Sequence, residues 1–327
     1  MSAGWASRPL WPDAHREGRA LDVLGIGQSS LDRVVFVDGP PSEGAIAYPG
    51  PGLELPGGQV ATAMLACARL GLRVAYAGAV GDDAAAAEVL APLKRAGVGL
   101  SGVRVIPGAA TRRAVIAVER RSGERHVLPR RDARLRLAPD AVDPAQVRGA
   151  CALYLDAEYP EAAAEAAAIA RAAGVAVLLD LDAASAGFEP LLARADFPIV
   201  SRRFAEWISG GTSAPDGLRE LVRRGARLAV ATLGPDGALA LAAGEGEPVH
   251  FPGFRVEARD TTGAGDVFHA AFAFGLLQGW DAARVLRTAN AAAAMSCRSI
   301  GAQGGLPERL ALEAFLAAEA PRAGAGR

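Results

Sequence analysis

Asp260-Thr261-Thr262-Gly263-Ala264-Gly265-Asp266 runs directly into a helical stretch, Gly265 to Gln278. The glycines let backbone N–H groups approach a ligand closely. A helix N-terminus adds unpaired donors and partial positive charge. Together they form an anion hole suited to a phosphoryl group. Asp266 sits beside that hole, where a carboxylate can accept a proton from an attacking hydroxyl. An aspartate that only stabilises the first helical turn is the other reading, and the residues alone leave both open.

Two further segments carry chemistry. Gly57-Gly58-Gln59-Val60-Ala61-Thr62 enters a helix that ends at Gly71. Paired glycines there either expose donors to a polar ligand or form a plain turn. Gly25-Ile26-Gly27-Gln28-Ser29-Ser30-Leu31-Asp32 follows the first strand. Ser30 replaces the third glycine of a dinucleotide fingerprint and no helix follows, so that reading is rejected. Asp32, and Glu158 in Tyr154-Leu-Asp-Ala-Glu158, fall at the carboxyl edge of strands, the usual ligand edge of such sheets. Two carboxylates aimed at one cleft suit the hydroxyls of a polyol, and solvated loop carboxylates are the alternative.

Around these segments, short apolar strands alternate with helices: Leu21–Gly25, Gln59–Leu70, Val74–Gly78, Ala84–Ala96, Leu153–Asp156, Glu161–Ala173, Val175–Asp180 and Phe197–Val200. Leu228–Leu233 and Ala238–Ala243 flank a hairpin turn at Pro235-Asp236-Gly237. Gly265–Gln278, Asp281–Cys297 and Pro307–Ala318 are the closing helices. The pattern predicts an α/β fold, a mostly parallel sheet with helices on both faces. Two excursions break it. One holds Val34–Val37 and Ala45–Tyr48, the other Ala114–Val118 and Arg125–Leu128. They read as antiparallel strands of one small β-sheet lying over the main body as a lid.

The chain has 327 residues, of which 51% are apolar, and a net charge of −1. That balance argues against a general nucleic-acid binder. No run reaches the ~18–20 apolar residues of a membrane helix. The first 20 residues lack the apolar centre of a secretory signal, so a cytoplasmic enzyme with a loose tail at 1–20 and another at 321–327 is expected. Cys67, Cys151 and Cys297 form no ligand-spaced pair and read as buried thiols. Lys94 is the only lysine and no G-x-x-x-x-G-K-[ST] exists, which excludes a P-loop enzyme. His269, one helical turn past Asp266, reads as a packing or solvent residue, with tuning of Asp266 as the alternative.

Taken together the segments resemble the PfkB (ribokinase-like) carbohydrate kinases. "GGQVATAMLACARLG" stands early and "DTTGAGDVFHAAF" late, as in that family, over roughly Leu21 to Leu316. "DTTGAGDVFH" and "GGxxATA" are particularly similar to the sulfofructose kinase branch. The resemblance implies a three-layer ribokinase-like sandwich, residues 21–320, with lid strands inserted at about 33–56 and 111–130. It implies ATP-dependent phosphorylation of a sugar hydroxyl, with ATP, Mg²⁺ and K⁺ as cofactors. It makes Asp266 the general base, and Gly263, Ala264 and Gly265 the anion hole for the transferring phosphoryl. Asp32, Gly57, Gly58, Gln59, Thr62 and Glu158 match sugar ligands. Thr232, Gly234 and Gly237 match the nucleotide turn, and Asn290 an adenine contact. Asp260, Thr262 and Gly301 match positions around a monovalent cation.

Three departures qualify the resemblance. Ser30 and Thr62 stand where the family often has asparagine. The family's N-x-x-E motif, tied to magnesium and phosphate, falls on Ser201 and Phe204, with Glu206 off register. Glu158 and Ala45-Ile46 stand where the sulfofructose branch has basic residues. An anionic sugar beside an unpaired Glu158 would be repelled, which favours a neutral ketose or pentose. Arg112 and Arg113 read as exposed strand-edge charges, with an anionic substrate as the alternative. A nucleoside kinase, a sulfofructose-type kinase of an anionic sugar and a catalytically weak nucleotide or sugar sensor are the rival functions. A homodimer through the lid is a further expectation.

Overall fold

The computed structural model describes residues 4–11, 18–39, 51–184 and 187–319. In chain order these form strands β1 (Leu21–Ile26), β2 (Ser30–Val37) and β3 (Leu53–Gly57), then helix α1 (Gln59–Arg69). Strand β4 (Val74–Gly81), helix α2 (Ala84–Arg95) and strand β5 (Gly99–Ile106) follow, then β6 (Arg113–Glu119) and β7 (Arg125–Arg130). Helix α3 (Pro144–Arg148) leads to β8 (Ala150–Leu155), α4 (Pro160–Ala172), β9 (Ala176–Leu181) and α5 (Glu189–Leu192). Strand β10 (Phe197–Ser201) precedes α6 (Arg202–Ile208) and α7 (Ala214–Arg223). Strands β11 (Leu228–Thr232), β12 (Ala238–Ala242) and β13 (Val249–Phe251) precede α8 (Ala264–Leu277), α9 (Ala282–Ser296) and α10 (Arg309–Ala318).

The main sheet runs β13-β12-β11-β10-β9-β8-β1-β4-β5. Its pairs are parallel except β11–β12 and β12–β13. Strands β8 and β9 are buried at every residue, which matches their unbroken apolar runs and the helices covering both faces. The expected hairpin at Pro235-Asp236-Gly237 makes the antiparallel turn, with Gly237 at φ 94°. Helix α8 is buried from Asp266 to Leu277, as its nearly uninterrupted apolar sequence requires. Helices α2 and α9 start on side-chain caps: Asp83 accepts from the Ala86 N–H and Asp281 from the Arg284 N–H.

The small sheet runs β3-β2-β6-β7 and unites both excursions. Its outer pairs are antiparallel, but its central pair β2–β6 is parallel. The expectation of antiparallel strands throughout is corrected there. Both excursions leave the main sheet in the same direction, so their first strands run side by side. The expected strand Ala45–Tyr48 lies outside the described residues. Strand β5, helices α6 and α7 and strand β13 were not anticipated. In β5 the exposed positions Gly99, Ser101, Arg104 and Val105 break the apolar run that would announce an edge strand.

The expected loose N-terminal tail is corrected for residues 4–11. Gly4–Ser7 forms a 3₁₀ turn and Pro9 bridges to Asp281. Trp5 is 6% exposed and packs edge-on against Phe251 at 6.3 Å between ring centroids. Trp11 packs on Phe197 at 5.7 Å and lies under the Arg227 guanidinium. The two indoles provide the apolar area that holds the segment down. Trp5→Ala is expected to lower unfolding free energy by about 3 kcal/mol. Urea denaturation checks this, and an unchanged midpoint would return the segment to a loose tail.

Candidate active site

Helix α8 begins at Gly263, whose φ of 81° lies in the left-handed region. A Cβ there would come within 2.7 Å of Ala302 Cα, so glycine is required by both conformation and space. The N–H groups of the 263–265 backbone lie at the start of the helix, and that of Ala264 already donates to the Thr261 carbonyl at 3.3 Å. Asp266 lies in the first turn and is buried. Its carboxyl is held well above the usual carboxylate range, first by burial and then by the charges of Asp180 and Asp182. Arg125 on β7 opposes the shift and Asp32 adds to it.

Of the expected sugar residues, Asp32 and Gly57 lie against each other, and Gln59 stands at the start of α1. Asp32 lies on β2, on the face of the small sheet shared with Val34 and Phe36. Its Oδ1 accepts the Ser30 hydroxyl at 2.6 Å. Its Oδ2 lies over Gly57, where a Cβ would collide with it. Burial raises the Asp32 carboxyl, while Ser30 and Arg112 lower it. Gln59 starts α1, accepts from the Gln28 amide and donates to Asp182 Oδ2 at 3.3 Å. Thr62 is fully buried, and its hydroxyl accepts from Gln303 Nε2 at 3.5 Å.

Glu158 corrects one premise. It is not unpaired: Arg131 Nε stands 2.9 Å from Oε1 and Arg112 Nε 3.9 Å from Oε2. Arg112 is therefore not an exposed edge charge, being 16% exposed and turned toward Glu158 and Asp32. Its buried Nε has no hydrogen-bond partner among the described residues. Arg113 does lie outward, 3.5 Å from Glu54. Burial raises the Glu158 carboxyl and the two arginines lower it.

Asp156 was not anticipated as a site residue. Wholly buried at the end of β8, it accepts the N–H groups of Gln28 and Glu158, each at 2.9 Å. It ties together the two loops that carry Gln28 and Glu158. Burial pushes it up to about 7, with Glu158 and Asp180 adding to the shift and the two N–H donors opposing it.

The expected nucleotide residues form a second group. Thr232 ends β11, and Gly234 and Gly237 turn the chain with φ of 63° and 94°. A Cβ on Gly237 would strike the Phe251 carbonyl. Asn290 on α9 donates from Nδ2 to the carbonyls of Phe251 at 3.0 Å and Pro252 at 3.1 Å. Its amide N–H groups are thus committed to the loop after β13, leaving only its oxygen for a ligand.

Two ion sites can be tested against the side chains. Asp260 is fully buried and accepts the Thr262 and Gly301 N–H groups at 2.8 and 2.7 Å. The Thr262 hydroxyl is buried without a partner among the described residues. A buried carboxylate beside an orphaned hydroxyl fits a monovalent cation. The positions expected for magnesium do not fit. Phe204 is in the core, and the Ser201 hydroxyl donates to the Asp182 carbonyl at 2.8 Å while capping α6. Glu206 is exposed on α6. Among the described residues no group of three or more His, Cys, Asp or Glu side chains is arranged to hold a metal. The three cysteines are buried, as expected.

A glycine-led helix start with a buried carboxylate in its first turn thus stands at the carboxyl side of an α/β sheet. Residues 21–309 match the pfkB family carbohydrate kinases, and the chain belongs to that family. It is an ATP-dependent kinase. It is 30% identical to a ribokinase of Bacillus subtilis over 303 residues, covering 90% of this chain and 99% of that one. It is 31% identical to an ATP-dependent ribose-1-phosphate kinase of Halopiger xanaduensis, covering 90% and 97%. The crystal structure of Thermotoga maritima ribokinase superposes with a TM-score of 0.79 at 26% identity, over 91% of this chain and 99% of that one. Arabidopsis thaliana ribokinase complexed with ribose and ATP gives 0.77 at 25%, over 91% and 99%. No helix among the described residues is long and apolar enough to cross a membrane.

The raised Asp156 carboxyl makes stability depend on pH. Between its unfolded value near 3.8 and its folded value of about 7, the folded chain binds more protons than the unfolded one. Its contribution is therefore present at low pH and lost as pH rises through that window. Asp156→Asn is expected to flatten this decline. Denaturation midpoints measured from pH 4 to pH 8 check it, and a variant with the wild-type slope would contradict it.

Proposed function

We propose that the chain phosphorylates a hydroxyl of a neutral ketose or pentose, with Asp266 as general base and the 263–265 backbone as anion hole. The observation that carries this reading is the placement of the buried Asp266 beside the left-handed start of α8, within electrostatic reach of Asp32. The sugar lies against Asp32, Gly57, Gly58, Gln59, Thr62 and Glu158, whose oxygens and amides suit hydroxyl groups. Glu158 is already balanced by Arg131 and Arg112, so the pocket has little net charge to attract an anion. ATP lies along Thr232, Gly234 and Gly237. Asn290 holds the loop beside the base rather than offering it an N–H.

Asp266 takes the hydroxyl proton as the oxygen attacks, and the backbone N–H groups receive the charge of the transferring phosphoryl. Asp260, Thr262 and Gly301 would hold K⁺, which offsets a buried carboxylate and fixes the loop ahead of the anion hole. Mg²⁺ would arrive with the nucleotide phosphates, since Ser201 and Phe204 provide no ligand for it. Arg112, whose Nε has no hydrogen-bond partner among the described residues, favours a second reading: a sugar with an anionic substituent.

The outer face of the small sheet carries Val115 and Leu128, opposite each other in register and 40% and 61% exposed. That patch supports a homodimer through the lid, and a concentration-independent monomer in light scattering would remove it.

ADP release from Mg-ATP with K⁺ across neutral sugars, sugar phosphates, sulfonated sugars and nucleosides tests the substrate. The expected result is one neutral ketose or pentose, with a loss of at least roughly 10²-fold in Asp266→Asn. A response confined to anionic sugars would favour the second reading. A nucleoside-only response, or Asp266→Asn with undiminished rate, would overturn the proposal.

A further inference from the structure

Beneath Asp266 the core holds three polar side chains that the reaction just described does not use. Tyr154 comes from β8, Asp180 from β9 and His269 from α8, and Asp180 and His269 are each 3% exposed. The Tyr154 hydroxyl donates to Asp180 Oδ2 at 2.7 Å. The Tyr154 and His269 rings are 5.3 Å apart at their centroids. Asp180 Oδ1 stands 3.8 Å from His269 Nε2.

Both imidazole nitrogens face oxygens. His269 Nδ1 is 2.8 Å from the Gly265 carbonyl, and Nε2 is 3.2 Å from the Ile199 carbonyl. A carbonyl oxygen only accepts. Either neutral tautomer would press a ring lone pair against a carbonyl lone pair in a dry core. Only the doubly protonated ring donates to both, and the tautomer is assigned from its partners in this way. A doubly protonated ring, with Asp180 as its counter-ion, is the state that satisfies both contacts.

The position of this ion pair matters for the base. A general base must be ionised. Asp266 is driven toward its neutral form by burial and then by the charge of Asp180. We propose that His269 is a positioning residue whose positive charge cancels that of Asp180 and so leaves Asp266 free to ionise. This rests on the reading of Asp266 as the base. The charged and titratable groups around the cluster are Tyr154 and Asp156 on β8 and its end, Asp180 and Asp182 at the end of β9, Asp32 on β2 and Arg125 on β7. From β10 only the Ile199 carbonyl reaches it. Arg125 is exposed on the small sheet, whereas His269 is buried with the carboxylates.

The test is the pH profile of kcat/KM for wild type, His269→Gln, Asp180→Asn and the double variant. Gln keeps a donor and loses the charge. The acidic limb is expected to move up by about one pH unit or more in His269→Gln, and down in Asp180→Asn. The double variant is expected to return near the wild-type limb, because both charges have gone. In wild type, ¹⁵N-histidine NMR at neutral pH is expected to show His269 with both ring nitrogens protonated. A neutral tautomer in that spectrum overturns the proposal even if the variants do not fold. So does a His269→Gln profile lowered equally at every pH with its limb unmoved. Asp266→Asn separates the two levels: if it retains full activity the base reading has failed, and if it is inactive while the limbs stay put only the counter-charge has failed.

Discussion

Asp266, the proposed general base, must be ionised to act yet is buried among other carboxylates, and the surrounding structure answers that conflict. Desolvation disfavours the charged form of Asp266, and Asp180, Asp182 and Asp32 disfavour it further. The start of α8 works in the opposite sense, because a helix N-terminus stabilises negative charge in its first turn. That start depends on Gly263, which alone can take the left-handed turn against Ala302. The same turn sets the backbone N–H groups proposed to receive the phosphoryl. One piece of backbone geometry thus serves both the proposed base and the proposed anion hole.

The sheet order determines which side chains meet this helix. Strands β8, β9 and β10 are neighbours, so Asp156, Asp180 and Ser201 emerge side by side at one carboxyl edge. Asp32 arrives from β2 of the small sheet, and Gln59 from the start of α1. The cleft is therefore assembled from segments distant in sequence, and its charges balance only in the fold. Glu158 illustrates this: it follows β8, but its cations, Arg112 and Arg131, flank the two strands β6 and β7.

That distribution explains what could be read from the residues alone. The Asp260–Asp266 segment carries its chemistry locally, as glycine conformation, helix start and carboxylate, so it is legible as a string. So are the buried strands, whose apolar runs need no partner to be recognised. The two-excursion sheet was legible as unpaired apolar stretches, but not the parallel pairing of β2 with β6, since direction depends on where each excursion leaves the main sheet. Asp180 and Tyr154 were hidden for a different reason. Each is one polar residue in an apolar strand run, and it acquires a partner only when β8, β9 and α8 are stacked. His269 was placed one turn from Asp266, but its two acceptors, Gly265 and Ile199, lie on separate elements. Asn290 was singled out only by the family resemblance, and nothing in the string showed that its N–H groups serve the protein backbone.

The small sheet is more than a cover. The turn between β6 and β7 reaches the loop that precedes α8, where the Gly123 carbonyl accepts from both the Thr261 N–H at 3.1 Å and the Thr261 hydroxyl at 2.9 Å. Two such bonds are worth about 1 kcal/mol each, enough to bias a position but not to lock it. Val34, Ala114, Ile116 and Val118 pack on the same side as Leu55 and Ile300, so the apolar inner face bears on the loop that carries Gly301. A displacement of this sheet would move Asp32 and Arg125 together, and both bear on the charge of Asp266. It would also release the backbone held at Thr261, one residue from the Asp260 clamp. The strand that carries Asp32, the proposed sugar ligand, and the turn that ties down the α8 loop thus belong to the same four-stranded unit.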